Sequence, residues 1–187
     1  MADTVKSKDL GIQVQKKIFS RMANKNVAKI LIDDVSSNVL DNLHRLAKYH
    51  SGNKREAEKL LKNIIKTFIK ITVLDRNRSF SDEELKHVER LKSRFRSAAM
   101  SVVSFYEVDF SYDRNYLVSV LEEARTALVN LIARHLTDKS VAKVHVIFDF
   151  FCSPGFLDRV FHRDSEHRPV LGALVKDLNT LLDQGNL

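Results

Sequence analysis

Asn53-Lys54-Arg55-Glu56-Ala57-Glu58-Lys59-Leu60-Leu61-Lys62-Asn63-Ile64-Ile65-Lys66-Thr67-Phe68-Ile69-Lys70-Ile71-Thr72-Val73-Leu74 is the stretch on which the fold class turns. Arg55, Lys59, Lys62, Lys66 and Lys70 recur at steps of three and four residues, so on an α-helix they fall on one narrow cationic strip. Leu60, Leu61, Ile64, Ile65, Phe68, Ile69 and Ile71 take the remaining surface. They spread over roughly 180°, where an amphipathic helix needs an apolar stripe of only about 100°. Such a helix meets apolar material on two sides: one neighbouring helix, and either a second neighbour or the wall of a cavity for a hydrophobic ligand.

The same spacing extends outward. From Asn53 to Ser153 the chain has no glycine and no proline, and every apolar pattern in that span is helical, which excludes most β architectures. Asn53 with Glu56, and Ser81 with Glu84, have capping-box spacing; Thr137 precedes a further helix, and Ser153 before Pro154 is a cap followed by a favoured first residue. Helices are expected near 9–24, 26–33, 37–50, 54–75, 82–107, 114–136, 138–151, 154–161 and 169–184. Leu85, Val88, Leu91, Phe95, Ala98, Val102 and Phe105 form one stripe, and Leu117, Leu121, Ala124, Leu128, Leu131 and His135 another. Short connections make neighbours antiparallel. The expected fold is therefore all-α, a single-domain antiparallel bundle of six or seven main helices. Only 162–169 reads as an exposed loop.

A chain of 187 residues can bury one large core, and its single cysteine, Cys152, has no internal partner, which points to the cytosol. No apolar run is long enough to span a bilayer, charges at Lys6, Lys8 and Asp9 interrupt any signal sequence, and Ala2 excludes myristoylation. The net charge of +7 is uneven: residues 1–110 carry +8 and residues 111–187 carry −1. Such asymmetry fits an anionic partner, a phosphorylated lipid surface or nucleic acid, met on one face.

Catalytic and metal chemistry find no support. The seven histidines give no i, i+4 pair with an acid, and one cysteine gives no thiolate cluster, so no metal site is expected. Asp33 with Asp34, and Asp109 with Asp113, fit helix starts better than acid–base pairs, and His135 fits a helix C-terminus facing the dipole. The glycines are isolated, so no phosphate loop exists. No enzyme activity and no cofactor are expected. Phe68, Phe95, Phe105, Phe148 and Phe151 fall on apolar helix faces and read as core rather than as base-stacking platforms, which argues against nucleic acid. Leu10, Val14, Ile18 and Met22, flanked by Lys8, Lys16, Lys17, Arg21 and Lys25, describe a basic amphipathic helix over 1–24 that lies on an anionic membrane, docks on the bundle, or does both.

The segments Leu31-Ile32-Asp33-Asp34-Val35-Ser36-Ser37-Asn38-Val39-Leu40-Asp41 and Val102-Val103-Ser104-Phe105-Tyr106-Glu107-Val108-Asp109-Phe110 resemble the tumour necrosis factor-α-induced protein 8 (TIPE) family. Further matches are Gln15-Lys16-Lys17, Lys62-Asn63-Ile64-Ile65-Lys66, Leu74 with Arg76-Asn77, Arg134-His135-Leu136-Thr137-Asp138-Lys139-Ser140 and Phe148-Asp149, so the resemblance runs over about residues 7–187. It implies a family-homology helical domain over 25–187, with helices around a deep apolar cavity that takes the acyl chains of phosphoinositides. Matching positions assign headgroup and membrane contacts to Lys16, Lys17, Lys25, Arg76 and Lys92. On the apolar faces read above, the corresponding lining residues are Ile65, Phe68, Ile69, Phe95, Ala99 and Val102.

The expected function is a cytoplasmic phosphoinositide-binding and lipid-transfer protein, reversibly recruited to anionic membranes and regulating cell death and inflammatory signalling. The alternative is a non-enzymatic adaptor that regulates apoptosis or a small GTPase through protein contacts, with its interior simply packed. Helical spacing alone does not separate a cavity wall from a core contact.

Overall fold

The computed structural model describes residues 34–185. The helices expected over 9–24 and 26–33, the segment 1–24, and Lys16, Lys17 and Lys25 lie outside the described residues. Among the described residues every regular element is a helix: α1 (Asp34–Ser51), α2 (Lys54–Arg76), α3 (Asp82–Glu107), α4 (Arg114–Ile132), α5 (Asp138–Phe151), α6 (Pro154–Phe161) and α7 (Arg168–Asp183).

Local chemistry sets most of the boundaries. The Asn53 side chain accepts from the Arg55 and Glu56 amides, Asp113 from Tyr116 and Ser153 from Phe156, and Ser81 and Glu84 form a reciprocal capping box. Two boundaries differ from expectation by more than one residue. The chain is already helical at Asp34, the first described residue, three before the expected start, so Asp34 lies within α1 rather than capping it, and Asp33 lies outside the described residues. Helix α4 ends at Ile132 instead of 136, because His135 turns away to meet Glu84, with Nε2 3.0 Å from the carboxylate oxygen. His135 thus answers a buried acid on α3 rather than its own helix dipole. Burial pushes the Glu84 carboxyl up, but hydrogen bonds from Ser81 and His135 outweigh it and hold it below its usual range.

The helices close a ring. Helix α1 packs on α2 and α7, α7 on α3, α3 on α4, α4 on α5, and α5 back on α2, while the short α6 touches α1, α4, α5 and α7 across one end. The buried apolar side chains gather in three groups among the described residues. One cluster joins α1, α3, α4, α6 and α7 through Leu46, Ala98, Leu117, Phe156 and Leu174; a second joins α2, α4 and α5 through Leu74, Leu128, Leu131, Val144 and Phe148; a small third joins α1 and α2 through Ala47, Ala57 and Leu60. Cys152 lies in the second, and burial pushes its thiol up to about 12, leaving it protonated.

Helix α6 is pinned by polar contacts and rings. Tyr112 donates to Asp158 at 2.9 Å and stacks on Phe161 at 4.9 Å, and Arg114 pairs with Asp158 at 2.6 Å. The loop after α6 is not uniformly exposed as expected. His167 is fully buried, stacked on Tyr49 at 5.6 Å, and neither ring nitrogen has a hydrogen-bond partner.

His50 sits edge-on to Phe150 and Phe156, with its Nδ1 buried and unpartnered. Burial, then Arg159 and His167, depress its pKa below 6.5, with Glu56 opposing them. The unfolded chain therefore binds a proton that the folded chain refuses, so His50 reduces stability as pH falls below about 6.5. Urea midpoints are expected to fall between pH 7.5 and 5.5, and His50→Phe should flatten that slope. An unchanged slope in the variant would assign the acid sensitivity elsewhere.

Candidate functional site

Arg76 closes α2 about 120° round the helix from Lys70; it is exposed in the last turn and forms no ion pair with a described residue. Its guanidinium suits phosphate oxygens. Lys92 lies about 15 Å along α3 from the first residue of that helix and is exposed, but its ammonium is held 3.1 Å from Glu89. An exposed pair of this type contributes about 0–1 kcal/mol and yields readily to a stronger anion. The two residues come from different helices and share no described contact.

The apolar residues divide by depth. Ile69 is buried at 2 % exposure and Ala99 at 5 %, whereas Ile65 and Val102 are half-buried. Phe68 and Phe95 remain 45 % and 37 % exposed, and Leu85, on the same stripe as Phe95, 42 %. The expectation that Phe68 and Phe95 are core is therefore corrected, while Phe148 is buried as expected and Phe105 and Phe151 are half-buried. The α3 stripe changes character along its length. Its C-terminal half, from Ala98 to Phe105, meets α7 and α4 in the first cluster; in its N-terminal half Val88 and Leu91 pack half-buried on the second cluster, while Leu85 and Phe95 stay in contact with water.

A narrow apolar crevice with no room for a water-sized sphere runs along the α1–α2 seam, lined by Leu43, His44, Ala47, Ala57, Leu60, Leu61, Ile64 and Phe151. It takes none of the six expected lining residues. A shallower polar cleft of about 390 Å³, open to solvent, lies at α6 between Asp158, Arg159, His162, Ser165 and Glu166. Among the described residues no group of three or more His, Cys, Asp or Glu side chains is placed to hold a metal ion. Asp109 pairs with Arg163 at 2.7 Å and Asp113 caps α4, so those two carboxylates have separate tasks. No single described helix is long and apolar enough to cross a membrane; α5 and α6 together have the length and composition but are bent by 45°.

One feature escaped the sequence pattern. Phe110, in the α3–α4 connection, is 90 % exposed at a φ of +63°, beneath the Arg163 guanidinium at 5.0 Å, with Val108 nearby at 56 %. A positive φ is strained for a bulky residue. Only the absence of a glycine in that short connection could have pointed to it.

Residues 5–185 match the family model described as tumor necrosis factor alpha-induced protein 8-like. Over 188 aligned residues spanning all of both chains, the sequence is 49 % identical to the tumor necrosis factor alpha-induced protein 8-like protein of Drosophila pseudoobscura pseudoobscura. The same identity and coverage relate it to the protein salivary glands marred of Drosophila melanogaster. In fold it is similar to the crystal structure of the C-terminal region of G-protein interacting protein 1 from Dictyostelium discoideum, with a TM-score of 0.64 and 23 % identity over 83 % of this chain and 95 % of that one. Matched by that family model over residues 5–185 and near half-identical to such a relative over its whole length, the chain belongs to the tumor necrosis factor alpha-induced protein 8-like family.

Proposed function

We propose that this chain is a non-enzymatic phosphoinositide-binding protein. It takes acyl chains against the apolar faces of α2 and α3, carries lipid between membranes from the cytoplasm, and by doing so regulates cell-death and inflammatory signalling. The observation that carries this reading is the partial exposure of Phe68, Leu85 and Phe95 on helix faces that elsewhere run into the core, together with a strip of lysines and Arg76, which forms no ion pair among the described residues. Apolar surface together with cations matches a ligand with a hydrocarbon tail and a phosphorylated head. Each methylene removed from water contributes about 0.8 kcal/mol, so tail burial, rather than the headgroup, must drive extraction. The α1–α2 crevice is closed to a chain, so uptake requires the helices to part.

The test is co-sedimentation and extraction with vesicles containing either phosphatidylinositol 4,5-bisphosphate or phosphatidylserine. Arg76→Gln with Lys92→Gln is expected to weaken phosphoinositide binding by about tenfold, the equivalent of 1.4 kcal/mol, and phosphatidylserine binding far less. Equal loss on both lipids would mean diffuse attraction without a headgroup site. The adaptor reading has its own observation in the strained, exposed Phe110 beside Arg163, a ring and a guanidinium of the kind that anchor protein interfaces. A protein that extracts no lipid but loses a small GTPase or apoptosis-related partner on Phe110→Ser would establish it instead.

A further inference from the structure

Lys66 and Lys70 stand one turn apart on α2, and Lys139 and Lys143 one turn apart on α5. The two helices pack antiparallel. Lys70 Nζ donates to Ser140 Oγ at 2.8 Å near the start of α5, while the cluster of Ala57 and Leu60 meets Phe150 and Phe151 near its end. The lower half of the α2 strip is therefore doubled by lysines from a second helix. Lys66, Lys70 and Lys143 are half-buried and Lys139 is exposed. Burial first, and then Lys143 and Lys66, hold the Lys70 pKa below its ordinary value; burial, Lys66 and Lys139 do the same to Lys143. The mutual influence places the four ammonium groups within electrostatic reach of one another.

None of the four forms an ion pair among the described residues. The start of α5, with Asp138 exposed in its first turn and no side-chain cap from Thr137, lies beside Lys139. Several arginines elsewhere are held by acids. Arg90 and Arg94 share Glu123, Arg125 has both Glu122 and Asp149, and Arg114 and Arg163 each have an aspartate. Crowded, half-buried like charges oppose folding, and their retention in a chain with 24 acidic residues marks a task outside folding.

We propose that Lys66, Lys70, Lys139 and Lys143 form a binding site for a multiply phosphorylated anion on the α2–α5 seam, separate from Arg76 and Lys92. A compact anion of several charges is the ligand that four clustered ammonium groups fit. Each gains a charge-assisted hydrogen bond, and their mutual repulsion is neutralised at once. The phosphates belong either to a soluble inositol phosphate or to a lipid headgroup. The site does not depend on whether acyl chains enter the interior.

Calorimetric titration of the full chain with inositol 1,4,5-trisphosphate tests it. Lys66→Gln with Lys143→Gln is expected to weaken binding by at least about tenfold, and Arg76→Gln with Lys92→Gln by less than about threefold. In low salt without ligand the lysine variant should melt at or above the wild-type temperature, since it loses repulsion, and should no longer gain stability when the trisphosphate is added. A wild type that does not bind the trisphosphate, a lysine variant that binds it unchanged, or equal loss in both pairs overturns the proposal. Vesicles containing phosphatidylinositol 4,5-bisphosphate then separate the sources. Loss of vesicle binding in the lysine variant assigns the site to a lipid head, and retention assigns it to the soluble phosphate. Failure of lipid extraction by the wild type would remove the transfer reading and leave this titration unaffected.

Discussion

Phe68→Gln combined with Phe95→Gln is expected to reduce extraction of phosphatidylinositol 4,5-bisphosphate from vesicles by at least about a hundredfold. The two rings are 45 % and 37 % exposed, so each already contributes less to folding than a core phenylalanine. Full burial of such a side chain is worth about 1.5–3 kcal/mol, and replacing a half-exposed ring by Gln should cost about 1–2 kcal/mol. The melting temperature would then fall by roughly 2–4 °C per kcal/mol. Lipid uptake faces a larger loss. If each ring covers two or three methylenes at about 0.8 kcal/mol apiece, the pair removes roughly 3–5 kcal/mol from binding of the tail. Gln adds no charge, so attraction to the vesicle surface is unaltered. A fluorescent-lipid extraction assay beside a melting curve reads both quantities. Undiminished extraction would rule out these faces as the acyl-chain surface.

A second large effect belongs to the scaffold. Leu131 is 0 % exposed in the cluster that joins α4 to α2 and α5, with Leu128, Ile132, Val144 and Phe148 around it. Leu131→Ala leaves a cavity among side chains fixed on three helices, and should destabilise the protein by about 2–5 kcal/mol. For a chain of this size that corresponds to a fall in melting temperature of roughly 5–20 °C. Urea denaturation measures it directly. A loss below about 1 kcal/mol would show that α4 moves inward to fill the gap, and hence that the ring deforms easily at that level.

The fall from core to surface along α3 bears on both results. Ala98 and Val102 lie where α7 and α4 meet α3, while Phe95 and Leu85, about one and four turns before Ala98 on the same stripe, remain exposed. A helix periodicity states only that these residues share a side. Whether that side is filled depends on how far α7 reaches along α3, and that is a matter of packing between residues some eighty positions apart. The same holds for the crevice at the α1–α2 seam, which is lined by Leu61 and Ile64 and not by Ile65, Phe68 or Ile69. Neighbouring residues on one broad apolar helix face were divided among a seam, a core and the solvent.

The sequence by itself determined the helical class, the order of the elements and most of their ends. These rest on interactions within a few residues: the 3.6-residue spacing of apolar side chains, and the caps at Asn53, Ser81, Asp113 and Ser153, which satisfy amides two or three positions away. It also determined the cationic strip of α2 and, through the resemblance, the family. Tertiary structure alone decided what those features face. The early end of α4 follows from Glu84, 51 residues before His135. The burial of His167 follows from Tyr49 on α1, and the doubling of the lysine strip from α5 lying beside α2. Local hydrogen bonding and side-chain periodicity are written in adjacent residues, whereas burial and electrostatic neighbourhood arise between distant ones, so the elements were legible and their surroundings were not.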